Sequence, residues 1–437
     1  MSISLLLEMA VDGFGERIAV GDLSYSDLHA AAVEAATAID GPHVVLDVNS
    51  PAIPIGLFGA AIAGHPFVPL NYRLTPDEID DRRRAIAAAH PDDDVAVLLF
   101  TSGTTGPPKA AVLKHDHLTS YVFSTVEFMG AGEDEATLVS VPPYHVAGIS
   151  AVLSSVYSGR RIVYLPQFSP EAWVEVARRE AVTHAMVVPT MLTRVLDVLH
   201  EQRAELPALR HLSYGGGRMP VAVIERAMTL LPDTGFVNAY GLTETSSTIA
   251  VLTPEDHREA ITSDDPAVRD RLGSVGRPLP SLEVEIHDGE VWVRGEQVSG
   301  QYLGRDSVLT DEGWYRTNDA GRIDDAGYLY IEGRLDDVIV RGAENLSPGE
   351  IEDTLLEHPA VAEAAVVGVP SEEWGEAVAA VVVCVDDKYV TEGELQDFVR
   401  RRLRSARTPE RIEFRDHLPY NETGKLLRRV LTDELSG

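Results

Sequence analysis

Val95-Ala96-Val97-Leu98-Leu99-Phe100 runs directly into Thr101-Ser102-Gly103-Thr104-Thr105-Gly106-Pro107-Pro108-Lys109. The first six residues are an unbroken apolar run of strand length, the pattern of a buried strand. The next nine hold three threonines, a serine, two glycines and a lysine. A surface turn needs glycine and serine, but not so many hydroxyls ending on a cation. Glycines let the backbone approach a ligand and aim N–H groups at it, hydroxyls add donors, and the lysine adds charge. A polyphosphate matches that inventory. No Gly-Lys-Ser/Thr triplet follows the glycines, so the loop is not a Walker loop.

Outward from this strand, helix and strand alternate. Tyr25 to Ile39 has helical spacing, 44–48 reads as a short strand, and Ile53 to Ala63 is an apolar helix stopped at Gly64. Phe67 to Leu70 reads as a strand and Arg82 to Ala89 as a charged helix. Apolar runs at 161–165, 185–189 and 210–214 continue the series, which predicts α/β architecture with a layered sheet. From Leu282 the texture shifts to short alternating strands with glycine turns, the mark of a β-rich subdomain. The tail 337–437 predicts a small α+β domain: a helix from Pro348 to His358, strands at 364–369 and 377–385, and a basic helix from Leu395 to Arg404.

A chain of 437 residues exceeds what one core usually serves, so two or more domains are expected. The formal net charge of −32 argues against nucleic-acid binding, because an acidic surface repels phosphate backbones. A nucleotide would have to be held by local donors, and the 101–109 loop supplies them. The single cysteine, Cys384, stands in a valine run, excludes an internal disulfide and suits a reducing compartment. With no basic leader and no apolar run of membrane-spanning length, a cytoplasmic location is expected. His115 and His117 diverge at helical spacing without a third ligand, so no transition metal is assigned.

The 101–109 loop resembles the phosphate-binding signature of the adenylate-forming superfamily, which includes acyl-CoA synthetases, luciferases and peptide-synthetase adenylation domains. Further motifs follow in the family's order: Asn238-Ala239-Tyr240-Gly241-Leu242-Thr243-Glu244-Thr245, Gly313-Trp314-Tyr315-Arg316-Thr317-Asn318-Asp319, Gly333-Arg334-Leu335-Asp336-Asp337, and Thr423-Gly424-Lys425. The resemblance implies a large N-terminal domain, 1–335, of layered α/β sheets with the β-rich subdomain, and a mobile C-terminal lid, 336–437, turning about Asp336. It implies an ATP-dependent acid–thiol ligase that makes an acyl adenylate and passes the acyl group to coenzyme A.

In that reading Thr101, Ser102, Gly103, Thr104, Thr105 and Lys109 hold phosphates, Thr243 donates to phosphate, and Glu244 helps to hold Mg²⁺. Asn238, Ala239, Tyr240, Gly241 and the turn Gly215-Gly216-Gly217 surround the nucleotide, and Asp319 and Arg334 meet the ribose. Lys425 bridges the carboxylate and the α-phosphate, which are both negative, as charge builds between them. Arg341, Gly342, Ala343 and Glu344 line the path of the thiol arm.

His145, in Pro142-Pro143-Tyr144-His145, resembles the histidine of acyl- and aryl-CoA ligases beside the carboxylate site. No aspartate lies between Val141 and Val156, where amino-acid-activating relatives place one, so a non-amino aliphatic or aromatic acid is expected. Val187, Val188 and Tyr214 are candidates for the acyl pocket. The run Arg400, Arg401, Arg402, Arg404 and Arg407 reads first as a solvated helix face, and second as a contact for coenzyme A phosphates or an acidic carrier protein.

The chain departs from the family in a short connection between Leu70 and the phosphate loop, where a strand-helix unit is missing. Ala110, Asn318 and Ala343 also stand where glycine or another residue is usual. Two alternatives remain at this point: transfer to a carrier-protein thiol, and a non-catalytic nucleotide or acyl binder, against which Lys425, Asp319, Arg334 and Glu244 together argue.

Overall fold

The computed structural model describes residues 1–89, 91–92, 94–101, 109–342, 344–371, 373–385, 387–403, 405–420 and 426–436. The decisive strand is Val95–Thr101, paired antiparallel with Lys109–Lys114 and parallel with Phe67–Pro69, with His43–Val45 completing a four-stranded sheet. Its residues feed two cores. Ala96, Val97 and Leu99 join the main apolar cluster, whereas Val95 and Leu98 pack with Val68, Ile86 and Val112. Burial on both faces explains the continuous apolar run, each such side chain contributing roughly 1.5–3 kcal/mol.

A nine-stranded sheet lies beside it. Its central strands Arg161–Tyr164, Ala136–Val139, His184–Val187, His211–Gly215 and Gly235–Leu242 are mutually parallel, and Ser247–Leu252 closes back antiparallel. The main apolar cluster includes residues of both sheets and of the helices Ser4–Phe14, Tyr25–Ala36, Ala52–Ala63 and Val146–Ser158. A second cluster includes residues of the same large sheet and of the helices Pro170–Arg179, Pro189–Gln202 and Val221–Leu230. Helix ends follow local chemistry: Ser24 and Asp27 form a capping box, and Gly64 ends its helix in the left-handed conformation.

The β-rich segment forms a four-stranded antiparallel sheet, Glu283–His287, Glu290–Arg294, Tyr315–Ile323 and Leu329–Arg334. After the short turn Leu335–Asp337 comes a third layer. The long hairpin Val361–Ser371 and Gly375–Cys384 pairs with Ile339–Arg341 and Arg411–Phe414, and the helix Pro348–Leu356 packs on it. That helix also faces back to the larger part, where Arg218 pairs with Asp353 and the Ser347 hydroxyl donates to the Glu332 carbonyl.

Candidate active site

The parallel strands His211–Gly215 and Gly235–Leu242 bring two expected site segments side by side, with Gly215 in register with Ala239. Ligands of open α/β sheets bind outside such carboxyl ends. The strand is bulged between Tyr240 and Gly241. A Cβ on Gly241 would sit 1.6 Å from the Ser247 carbonyl oxygen, so only glycine fits where the chain folds back. A one-turn helix, Thr243–Thr245, then carries Glu244.

Asp319 and Arg334 are direct partners across the strand pair Tyr315–Ile323 and Leu329–Arg334. The Asp319 carboxylate, 5% exposed, accepts from the Tyr240 hydroxyl at 2.6 Å and from Arg334 at 2.7 Å. Arg334 also donates to the Thr317 carbonyl at 2.9 Å, and the Thr317 hydroxyl accepts from the Asp319 amide at 3.0 Å. A carboxylate offers about four lone-pair directions, so two remain for diol hydroxyls. Burial, reinforced by the Asp319 charge, holds the Tyr240 phenol protonated well above its ordinary range. Asn318 has φ +59°, which asparagine tolerates and which explains glycine as the usual residue there.

Glu244 is 9% exposed and accepts from the Tyr302 hydroxyl at 2.6 Å. Lys109 lies with its ammonium 5.4 Å from the Tyr302 ring centroid. Tyr315 lies within electrostatic reach of Tyr302, Glu244 and Arg334. The chemistry of this set fits a magnesium–nucleotide: a buried carboxylate oxygen for a hard cation, with an ammonium beside it for phosphate.

His145 stands just before the helix Val146–Ser158 in extended conformation, with its ring 4.8 Å from that of Tyr144. Its Nε2 is buried and has no partner among the described residues. Burial pushes its pKa down to about 4, so the ring is neutral at pH 7. Of the acyl-pocket candidates, Val187 and Tyr214 lie in the core cluster, and the Tyr214 hydroxyl is bonded to His257 at 2.8 Å. Strand alternation gives the opposite face to Met186, whereas Val188, at the start of the next helix, packs against the same cluster and would meet a Cβ on Gly216 at 3.5 Å.

In the C-terminal layer Gly342 adopts φ +63° and its amide donates to the Trp374 carbonyl at 2.7 Å. The Trp374 ring is 42% exposed beside the Arg341 guanidinium, 5.2 Å from the ring centroid. Asp336 accepts from the Asn318 side chain at 2.8 Å. Arg400, Arg402 and Arg407 are paired with Asp397, Glu357 and Glu350, as a solvated face would be. Ser102, Gly103, Thr104, Thr105, Ala343 and Lys425 lie outside the described residues; Tyr420 and Leu426, which flank the Lys425 segment, pair across it. Sequence reasoning missed Tyr302, Trp374 and the role of Tyr315. Tyr302 carries no periodic signal, whereas Tyr315 stood inside a recognised motif.

Comparison with known proteins agrees with this arrangement. The model of the AMP-binding enzymes matches residues 81–303, and that of the AMP-binding enzyme C-terminal domain matches 350–425. The 2-succinylbenzoate–CoA ligase of Bacillus licheniformis is 36% identical over 77% of this chain and 69% of its own length. The o-succinylbenzoate CoA synthetase of Bacillus subtilis, solved with its acyl-adenylate intermediate, superposes with TM-score 0.84 at 28% identity over 98% of both chains. The same enzyme has been solved with ATP and magnesium, at TM-score 0.83 and 28% identity over 97% of this chain and 98% of that one. An amide bond synthetase from Marinactinospora thermotolerans gives TM-score 0.83 at 26% identity over the whole of both chains. The chain belongs to the AMP-binding enzymes, as an adenylate-forming acyl-CoA ligase.

Proposed function

We propose that the chain activates a carboxylic acid without an α-amino group as its acyl adenylate and then transfers the acyl group to the thiol of coenzyme A. The observation that carries this reading is the linked set Tyr240, Asp319 and Arg334 with Glu244, Tyr302 and Lys109, one half suited to a ribose and the other to phosphates. In the first half-reaction a carboxylate oxygen attacks the α-phosphorus of ATP and pyrophosphate leaves. Asp319 accepts from the ribose hydroxyls, Arg334 fixes Asp319, and Thr101 to Lys109 with Thr243 hold the phosphates. Glu244 would hold the magnesium that arrives with ATP, which would offset phosphate charge. Lys425 supplies the cation between the two anionic reactants, and the positioning itself removes much of the barrier.

For the second half-reaction, the domain from 336 turns about Asp336, Lys425 withdraws, and Arg341, Gly342 and Glu344 line the thiol path. The sulfur attacks the acyl carbonyl and AMP leaves. An exposed indole beside an arginine next to Gly342 supports a nucleotide-bearing thiol such as coenzyme A over a carrier protein. Among acids, an aromatic one of the 2-succinylbenzoate type is favoured, since the curated relative from Bacillus licheniformis is named for that acid.

The test is pyrophosphate release with ATP and Mg²⁺ against aromatic, aliphatic and dicarboxylic acids, with and without coenzyme A. Release that depends on an aromatic acid and yields its CoA thioester is expected. Release that yields product only with a phosphopantetheinylated carrier, or with an amine, would overturn the choice of acceptor.

A further inference from the structure

The segment that carries Tyr302 is stitched to both halves of the phosphate site. Val112 donates to the Gln301 carbonyl at 3.0 Å and Leu303 to the Ala110 carbonyl at 2.9 Å, so Tyr302 is held by a short antiparallel bridge to Ala111 on the strand that begins at Lys109. Just before it, the Ser299 amide donates to the Glu244 carbonyl at 2.8 Å. Tyr302 therefore stands where two backbone attachments converge, one to the lysine strand and one to the Glu244 turn. Its hydroxyl donates to Glu244 Oε1 at 2.6 Å, and the face of its ring meets the Lys109 ammonium at 5.4 Å.

We propose that Tyr302 is a positioning residue that orients the Glu244 carboxylate for magnesium and the Lys109 ammonium for phosphate, so that both converge on one magnesium–nucleotide. A carboxylate free to rotate presents either oxygen to a cation. With Oε1 engaged by the phenol, Oε2 is the oxygen presented, and the geometry is set before the ion arrives. Partners that orient a metal-binding carboxylate in this way commonly change metal affinity by roughly 10–100-fold when removed. The ring acts separately from the hydroxyl, because a cation over an aromatic face is held by the π-system. The inference rests on the adenylating reading and on Glu244 as the magnesium carboxylate.

The two contributions separate with two variants. Tyr302→Phe keeps the ring and loses the hydroxyl, whereas Tyr302→Leu loses both. Calorimetric binding of ATP without divalent metal, binding of ATP with Mg²⁺, and the Mg²⁺ dependence of pyrophosphate release at saturating ATP are measured, with thermal melts to verify folding. Tyr302→Phe is expected to raise the half-saturating Mg²⁺ about tenfold while leaving metal-free ATP affinity within about twofold. Tyr302→Leu should weaken metal-free ATP binding as well. A wild-type Mg²⁺ requirement in Tyr302→Phe, or equal weakening of both binding modes, overturns the proposal. Glu244→Gln is the control: if it also leaves the Mg²⁺ requirement unchanged, the metal reading of Glu244 falls and takes this inference with it, whereas acid-dependent pyrophosphate release would still uphold the adenylating reading.

Discussion

Asp319 and Arg334 stand opposite each other in one strand pair, and the guanidinium reaches the carboxylate at 2.7 Å while the backbone fixes both. The carboxylate is nearly buried and the guanidinium about a third exposed, so the pair is organised before any nucleotide arrives. Asp319→Asn removes the charge at constant shape. It should weaken ATP and AMP binding at least tenfold, about 1.4 kcal/mol, because the diol loses a charged acceptor. Titration calorimetry with AMP alone checks it; unchanged AMP affinity would remove Asp319 from the ribose site.

Gly342 and Lys425 should fail in opposite half-reactions. A β-branched residue at φ +63° is strained whatever the space, and its Cβ would lie in van der Waals contact with the Trp374 ring at 3.6 Å. Gly342→Val is therefore expected to slow thiol transfer more than tenfold and to change adenylation within about threefold. Lys425→Ala should cut adenylation by roughly 10²–10³ and spare transfer from a supplied acyl adenylate. Single-turnover assays of each half-reaction separate these; equal loss of both halves in both variants would sink the domain-alternation reading.

The neutral His145 ring predicts a pH dependence of stability. Its pKa is about 4 when folded, against about 6.5 when unfolded, so between those values the unfolded chain binds the extra proton. Stability is complete above pH 6.5 and falls as pH drops toward 4, by about 2 kcal/mol at pH 5 from this group. Denaturant midpoints at pH 7 and pH 5 for the wild type and His145→Gln should show the variant losing less on acidification. Parallel losses in the two proteins would mean that His145 is not buried neutral.

Much of this was readable because local chemistry and tertiary fate coincide. The strand at 95–101 is apolar on both faces since two cores claim it, and Gly64 ends its helix because only a left-handed residue turns the chain there. The helix Pro76–Ala89 begins six residues before the charged stretch that announced it; the reciprocal bonds of Thr75 and Glu78 start it, a cap not read from the pattern. Val187 and Tyr214 have the apolar character of a pocket wall, but which face of a strand meets the core depends on register with its neighbours, which sequence does not contain. The same holds for Tyr302, whose partner Glu244 is 58 residues away. Conversely, the resemblance assigns Asp319 and Arg334 each to the ribose without relating them to one another, and the antiparallel register sets them opposite each other.

The net charge of −32 sets the last expectation, that salt stabilises this protein. Ion pairs such as Arg400 with Asp397 and Arg402 with Glu357 are exposed, and each contributes about 0–1 kcal/mol that salt reduces. Against them stand 69 acidic side chains and only 37 basic ones, whose mutual repulsion grows when the chain is compact. The ion pairs are numerous but individually weak, whereas the excess of 32 negative charges has no basic partner to offset it, so screening relieves more than it removes. As the Debye length falls from about 10 Å at 0.1 M to about 3 Å at 1 M, the melting temperature should rise by on the order of 5 °C. Thermal scans in potassium chloride, compared with sucrose at matched osmolality, isolate the electrostatic part. A melting temperature that falls with salt would show that the ion pairs outweigh the net charge and that the acidic surface costs the fold little.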